Sequence, residues 1–234
     1  MNTVAYNKVL FGGESMMNTT MAIAVLQNLI PLLESVPEAA KLVESMKGYE
    51  RQVNEAFLKD LGDRDFPRRM YFEGKPIGEN DMWLEPLGYM LQIKDLPLER
   101  KQRLYKAMQE RVYDNEKLGA RQQEAPEKEL PWLEKGSREN GGFWYSLNGP
   151  VVAGMTDVDK DEAWKLLRMM TLDNLSKHFP NYWSSWWSAS DTQESSLMGA
   201  LEGLPDQSLQ YWYIPIYCAH PHAWVLYCYY KLKE

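Results

Sequence analysis

Two kinds of helical pattern alternate along the chain, and this alternation constrains the fold more than any other feature of the sequence. Amphipathic patterns, with apolar residues three and four apart and charges opposite, occupy residues 36–61, 97–114 and 158–170. Patterns that are apolar or small on nearly every side occupy residues 15–30, 80–93, 144–155 and 222–232. The second kind predicts helices buried all round, so we expect an all-α protein with about seven main helices.

The order of the two kinds is that of helical hairpins arranged in two concentric layers. This order predicts a partial (α/α) toroid, with an ordinary helical bundle or a helical-repeat solenoid as the alternative. Polar and aromatic loops precede the predicted inner helices, at residues 12–15, 74–82, 136–143 and 183–220. If the inner helices run parallel, these loops meet at one end of the fold and form a single cleft.

Charge and composition exclude several classes of partner. With a net charge of −7, the chain has no basic stripe to neutralise phosphates, so we expect no nucleic acid. Gln27 and Asn28 interrupt the apolar run at residues 21–30, so we expect no membrane span. The N-terminal residues do not read as a secretory signal, and Cys218 and Cys228 are expected to be reduced. The chain as given is therefore expected to be cytoplasmic, unless a signal precedes it.

Residues 78–86, "GENDMWLEP", gather carboxylates and a tryptophan at one predicted helix start. Asp81 is interpreted as either a helix cap or a cleft residue, since carboxylates also stabilise the first turn of a helix. Glu85 falls within a largely apolar helix, where an unpaired charge is costly. Beside Trp83, it is a candidate for an acid or for an acceptor of sugar hydroxyl groups.

Residues 181–217 contain many of the nine tryptophans and 14 tyrosines of the chain, in no helical or strand period. Rings among polar groups favour sugar recognition, and the alternative is a packed lid without a ligand. The candidate binding residues of this region are Trp186, Trp187, Asp191 and Gln193, with His220 at the next helix start. The three histidines are too few and too poorly spaced for a metal site, so we expect no metal and no cofactor.

Several segments, taken in order, resemble pieces of the catalytic domain of cellobiose-phosphorylase-like enzymes, glycoside hydrolase family 94 and its relatives. They are "GGESMMNTTMAIAVL", "PIGENDMWLEPLGYML", "ENGGFWYSLNGPVVAGM" and "HAWVLY", of which "ENGG" at residues 139–142 is the most specific. The resemblance implies a six-hairpin (α/α) toroid that acts on β-linked gluco-oligosaccharides. Residues 1–234 are then expected to form a single domain that corresponds to the C-terminal part of the family domain, without its N-terminal half.

Two departures from the family pattern bear on the reaction. The family's general acid is an aspartate in an "ADWND"-like motif upstream of "GES", and residues 1–11 do not contain it. The family's phosphate-binding histidine corresponds to Ser146 here, and a Thr-Gly pair before the last helix corresponds roughly to His220 and Pro221. These differences favour hydrolysis over phosphorolysis.

The resemblance implies that Glu139 lines the sugar subsites, together with Trp144 and Ser146. A glycosidase needs two carboxylates, so we expect Glu139 and Glu85 to be catalytic, with Asp81, Asp191 and Glu194 as further candidates. The alternatives are a non-catalytic carbohydrate-binding or remnant module, a phosphorylase with other phosphate ligands, and a helical scaffold. Because half a toroid leaves an apolar wall open, we also expect a homodimer that closes it.

Overall fold

The computed structural model describes residues 12–113, 116–127, 134–177, 192–198 and 219–234, and these residues are mostly helical. The all-α class is therefore confirmed. Eight α-helices lie within the described ranges, and their bounds are α1 Met16–Leu33, α2 Ala40–Leu61, α3 Leu87–Met90, α4 Leu98–Arg111, α5 Tyr145–Met155, α6 Lys160–Met169, α7 Leu172–Leu175 and α8 Ala219–Lys233. Shorter 3-10 turns lie at Pro37–Ala39, Arg138–Asn140 and Ser196–Met198.

Two small antiparallel sheets lie beside the helices, which the helical patterns did not predict. The first has the order β1 (Gly13–Ser15), β2 (Met70–Phe72), β3 (Lys75–Ile77), with Glu14 opposite Tyr71 and Tyr71 opposite Pro76. The second joins β4 (Phe143–Trp144) to β5 (Thr192–Gln193). Both sheets lie where an apolar helix begins, because β1 leads directly into α1 and β4 into α5.

Local sequence accounts for several helix boundaries. Ser15 caps α1 by accepting a hydrogen bond from Asn18 N, and Asp159 caps α6 by accepting one from Glu162 N. Gly62 ends α2 with a positive φ of 51°. The ten residues of α5 other than Ser146 are all buried, as expected for a helix apolar on every side.

The predicted helix at residues 80–93 is wrong in extent, since only Leu87–Met90 is α-helical. Residues 82–84 instead pair with residues 122–124, where Leu84 N donates to Gln122 O (2.8 Å) and Glu124 N donates to Met82 O (2.9 Å). A short apolar run is compatible with a buried strand as well as with a buried helix. Here the hydrogen bonds with residues 122–124 stabilise extended backbone.

The four helices α1, α3, α5 and α8 lie side by side and run in the same direction. Thr20 Oγ1 donates to Pro86 O (3.1 Å) near the start of α1 and α3, and Lys94 N, just beyond the end of α3, donates to Gln27 Oε1 (2.7 Å) further along α1. Likewise, Cys228 Sγ contacts Gly149 O (3.4 Å) and Lys231 Nζ contacts Ala153 O (2.8 Å), so α5 and α8 are also parallel. α3 and α5 are parallel as well, since the Cβ position of Gly88 lies 2.7 Å from Pro150 Cβ and that of Gly154 lies 2.5 Å from Leu91 Cβ. The starts of α1, α3 and α5 therefore lie at the same end.

Close backbone approach between the inner helices depends on glycines. A Cβ atom at Gly88 of α3 would lie 2.7 Å from Pro150 Cβ and from Val151 N of α5. A Cβ atom at Gly149 of α5 would lie 2.3 Å from the Trp224 ring of α8. These positions have no room for a side chain, so the small residues of α3 and α5 set the distances between the neighbouring parallel helices.

The first and last of the four parallel helices, α1 and α8, are less buried than predicted. On α8, Leu226, Tyr227, Tyr229 and Tyr230 are exposed, so the prediction that this helix is buried all round is wrong. α1 also keeps Val25, Leu29 and Leu32 exposed. Among the described elements, α1 packs mainly against α2 and α3, and α8 packs mainly against α5 and α6.

The length and composition of α1 are sufficient for a membrane span, with a mean hydropathy of 1.3 over 18 residues. The expectation that no segment reaches this apolarity is therefore wrong. Polar contacts nevertheless anchor α1 within the fold, because Gln27 Nε2 donates to Glu50 Oε1 (2.8 Å) and to Asp95 Oδ2 (2.7 Å). The expectation of no membrane contact stays a prediction.

Candidate functional site

Backbone pairing brings several of the predicted cleft loops together. Trp83 forms a bridge with Gln123, Arg121 forms one with Phe143, and Phe143 also pairs with Gln193. Four segments distant in sequence are thereby placed side by side at the start of α5. Of the loop at residues 183–220, the described parts are residues 192–198 and the first turn of α8.

The loop at residues 136–142 has a firmly held backbone. Asn140 is buried, its Oδ1 accepts from Glu127 N (2.7 Å), and its main-chain oxygen accepts from Gly136 N (2.8 Å). Gly142 is packed so closely that a Cβ atom would lie 2.6 Å from Arg138 N. Arg138 itself has a positive φ of 46°, which is uncommon outside glycine and is found preferentially at functional sites.

Glu139 stands between these fixed positions. Its side chain is half-buried, and within the described ranges its carboxylate makes no hydrogen bond or ion pair. Trp144, also half-buried, donates from Nε1 to Arg138 O (3.0 Å), so the ring is oriented by the backbone next to Glu139. Ser146 follows in the first turn of α5 and is half-buried. The structure therefore places the Trp144 ring against the backbone that precedes Glu139, and the roles of both residues in sugar binding stay predictions.

Glu85 is not the unpaired carboxylate that the sequence predicted. Arg69 binds both of its oxygens, from Nε to Oε2 (3.1 Å) and from Nη2 to Oε1 (3.3 Å), and Gln122 Nε2 donates to Oε1 (3.0 Å). Glu85 also precedes α3 instead of lying within a long helix. Both oxygens of Glu85 are therefore engaged in hydrogen bonds, and the prediction of an unpaired carboxylate is wrong. Its catalytic role stays a prediction.

Arg69 is the centre of a cluster that the sequence analysis missed. Its guanidinium carbon lies 3.6 Å from the centroid of the Trp83 ring, and its Nη1 donates to Glu127 Oε1 (3.1 Å). The side chain is only 9% exposed. Trp83 is likewise buried and its ring packs against Arg69, while its role in sugar binding stays a prediction.

Asp81 neither caps a helix nor lies in the cluster around Glu85. It is exposed, and α3 begins six residues later with Pro86 at its N-cap position and no side-chain cap. The prediction of a helix cap is wrong because the predicted helix start is replaced by extended backbone. Asp81 therefore serves as an exposed control position for the experiments below.

A buried ion pair between Glu116 and Arg121 holds residues 192–198 in place, and the sequence analysis missed both residues. Glu116 Oε1 lies 3.5 Å from Arg121 Nη1 and accepts from Ser196 Oγ (2.6 Å) and Ser196 N (3.1 Å). Burial raises the pKa of Glu116, and the bonds from Ser196 and the charge of Arg121 oppose this rise. No local sequence pattern predicts the role of this pair, because Ser196, which donates to Glu116, lies 80 residues further along the chain.

This pair predicts a pH-dependent stability. Because the folded-state pKa of Glu116 exceeds its unfolded value, the folded state binds the proton more tightly, and the free energy of unfolding falls as pH rises from about 4.5 through the folded pKa. Glu116→Gln keeps an acceptor for Ser196 and removes the titration. We expect the stability of the variant relative to wild type to increase across this window, as measured by urea unfolding. A difference that is constant with pH would count against the prediction.

Gln193 and Glu194 lie next to the loop at residues 136–142 and are buried. Gln193 O lies 3.0 Å from the Cβ position of Gly142, and Ser195 N donates to Gly136 O (2.8 Å). Glu194 is therefore flanked by two contacts with the loop that carries Glu139. Trp186, Trp187 and Asp191 lie outside the described residues, as does the side chain of His220.

Over the described ranges, no group of three His, Cys, Asp or Glu side chains is arranged to hold a metal ion. Comparison with known protein families and with curated proteins gives no match to this chain. The geometry of the site and the sequence motifs are thus the basis for the function proposed below.

Proposed function

We propose that the chain is a glycoside hydrolase that binds β-linked gluco-oligosaccharides at the loop of residues 136–142. The observation that carries the proposal is the state of Glu139. Its carboxylate is half-buried and without a partner among the described residues, while the backbone on both sides is held by buried contacts. An acceptor that is fixed in place and left free is suited to a ligand with hydroxyl groups.

Trp144 supplies the second element of sugar recognition. Its ring lies beside the Glu139 loop through the bond from Nε1 to Arg138 O. Binding sites combine aromatic surface with a few placed polar groups, and a β-linked glucosyl unit offers an apolar ring face and a rim of hydroxyl groups. Ser146 supports hydrolysis over phosphorolysis, because the family's phosphate-binding histidine would occupy that position.

Hydrolysis requires a second carboxylate, and the engagement of Glu85 by Arg69 makes Glu194 the better partner for Glu139. Glu194 is buried on the segment that borders the same loop. In the proposed reaction, Glu194 protonates the glycosidic oxygen as its bond to the anomeric carbon breaks. Glu139 takes a proton from the water whose oxygen bonds to that carbon. An inverting mechanism places the two carboxyl groups about 6.5–9.5 Å apart.

The arrangement of helices supports a toroid as the fold within the all-α class. The inner helices α1, α3, α5 and α8 run in one direction, and the outer helices α2 and α6 pack against α1 and α5. Parallel inner helices place their preceding loops at one end, where we propose the cleft lies. We therefore propose that these helices form part of an (α/α) toroid.

One observation favours a second candidate, a non-catalytic carbohydrate-binding module. Glu85, which was expected to act in catalysis, is held in a structural ion pair with Arg69. In this alternative, Glu139 and Trp144 bind the sugar and no glycosidic bond is cleaved.

The release of reducing ends from cellotetraose, with and without inorganic phosphate, tests the proposed function. We expect release that does not depend on phosphate and is unchanged in the exposed control variant Asp81→Asn. Binding without release would favour the non-catalytic module. Release only in the presence of phosphate would contradict hydrolysis and indicate a phosphorylase.

A further inference from the structure

The parallel helices α1, α3, α5 and α8 form a row whose two edges are α1 and α8, and an apolar groove lies between these edges. Its volume is about 550 Å³, and α1, α3 and α8 line it. Val25 and Leu29 of α1 face Trp224 and Tyr227 of α8 across this groove. Within the part of the chain that the structure describes, this groove is therefore bordered by α1 and α8, the first and last helices of the row.

Exposed apolar residues follow a helical spacing on both edges. On α1, Val25, Leu29 and Leu32 are 50%, 38% and 69% exposed. On α8, Tyr227 and Tyr230 are 52% and 65% exposed. Residues four and three apart form ridges on one helix face that pack into the grooves of another helix. Continuous apolar surface of this kind marks an interaction site.

We propose that a second copy of the chain covers both edges, with α1 of each copy packed in parallel against α8 of the other. The two-fold axis of this dimer runs along the helices, so both contacts are equivalent and the assembly is closed. An α1–α1 contact would bury one edge and leave the tyrosines of α8 in water. The parallel α1–α8 contact buries both edges, and the helices of both copies then all run in the same direction.

Charges near the helix ends favour the same orientation. α8 has the exposed Lys233 in its last turn, whereas Lys231 is half-buried and donates to Ala153 O. α1 is followed by the exposed residues Glu34 and Glu38, and Glu34 already pairs with Lys47. Parallel packing of α1 against α8 sets these opposite charges at one end of the dimer. Parallel packing of two α8 helices would set lysine against lysine. Exposed charges of this kind contribute to orientation more than to affinity.

Light scattering on the eluting protein tests the dimer. We expect the wild type at micromolar concentration to have twice the 27.3 kDa mass of the chain. Leu29→Lys on α1 and Tyr227→Glu on α8 should each give a monomer with an unchanged circular dichroism spectrum. Leu42→Lys, which alters an exposed apolar residue of α2, should remain a dimer and is the matched control.

Mixing the two interface variants distinguishes this dimer from other assemblies. A heterodimer would have one unaltered contact, and the other contact would pair the new lysine with the new glutamate. We therefore expect the mixture of Leu29→Lys and Tyr227→Glu to recover a dimer that neither variant forms alone. A monomeric wild type, a dimeric single variant, or a mixture that stays monomeric would each overturn the proposal.

Discussion

Replacing Glu139 by Gln is expected to lower the rate of cellotetraose hydrolysis by about 10²–10⁴-fold, the usual contribution of a general acid or base. Gln has the same shape as Glu and can still hydrogen-bond a sugar hydroxyl, but it cannot take a proton from water. Oligosaccharide binding by the variant should therefore change much less than turnover, and calorimetric titration against an initial-rate assay separates the two.

The stability of the Glu139→Gln variant provides the control for this result. Because the Glu139 carboxylate has no partner within the described residues, we expect the free energy of unfolding to stay within about 0.5 kcal/mol of wild type. Loss of activity at constant stability is the signature of a residue that acts on a ligand. Unchanged hydrolysis, or a loss of activity that accompanies unfolding, would contradict the role given to Glu139.

Replacing Arg69 by Met is expected to lower the free energy of unfolding by about 3 kcal/mol, since removing one partner of a buried ion pair leaves its charge uncompensated. Glu85 and Glu127 both lose their ion pair with Arg69, and both are about 80% buried. Met keeps much of the apolar contact with Trp83 but not the stacked cation. Urea unfolding measures the loss.

Two further variants test this explanation. Arg103→Met removes an ion pair with Asp65 in which both side chains are about half exposed, so we expect a change of at most about 1 kcal/mol. Adding Glu85→Gln to Arg69→Met removes one unpaired charge and should recover part of the loss. An effect of Arg69→Met no larger than that of Arg103→Met would show that the cluster around Arg69 does not stabilise the fold.

The sequence predicted the helices well where local information was sufficient. α5 is apolar on every side and is buried as expected, and the amphipathic patterns correspond to α2, α4 and α6. The pattern failed at residues 82–84, because the choice between helix and strand depended on pairing with residues 122–124. It also failed for α8, because burial depends on what faces a helix and not only on its composition.

For the candidate site, the motif resemblance predicted Glu139 and Trp144, and the structure places the Trp144 ring against the backbone before Glu139. The resemblance could not show that Glu85 is paired with Arg69, because Arg69 lies 16 residues earlier, just before β2. Glu116 and Arg121 were missed for a similar reason, since their role depends on contact with residues 192–198. Polar partners brought together by the fold leave no periodic signal in the sequence.

The measurement that tests the central claim most directly is a crystal structure of the Glu139→Gln variant with cellotetraose bound. The proposed site predicts a glucosyl ring in contact with Trp144 and a sugar hydroxyl within about 3.2 Å of the side chain at position 139. Cellotetraose bound away from the loop of residues 136–142, or no bound sugar at saturating concentration, would contradict it.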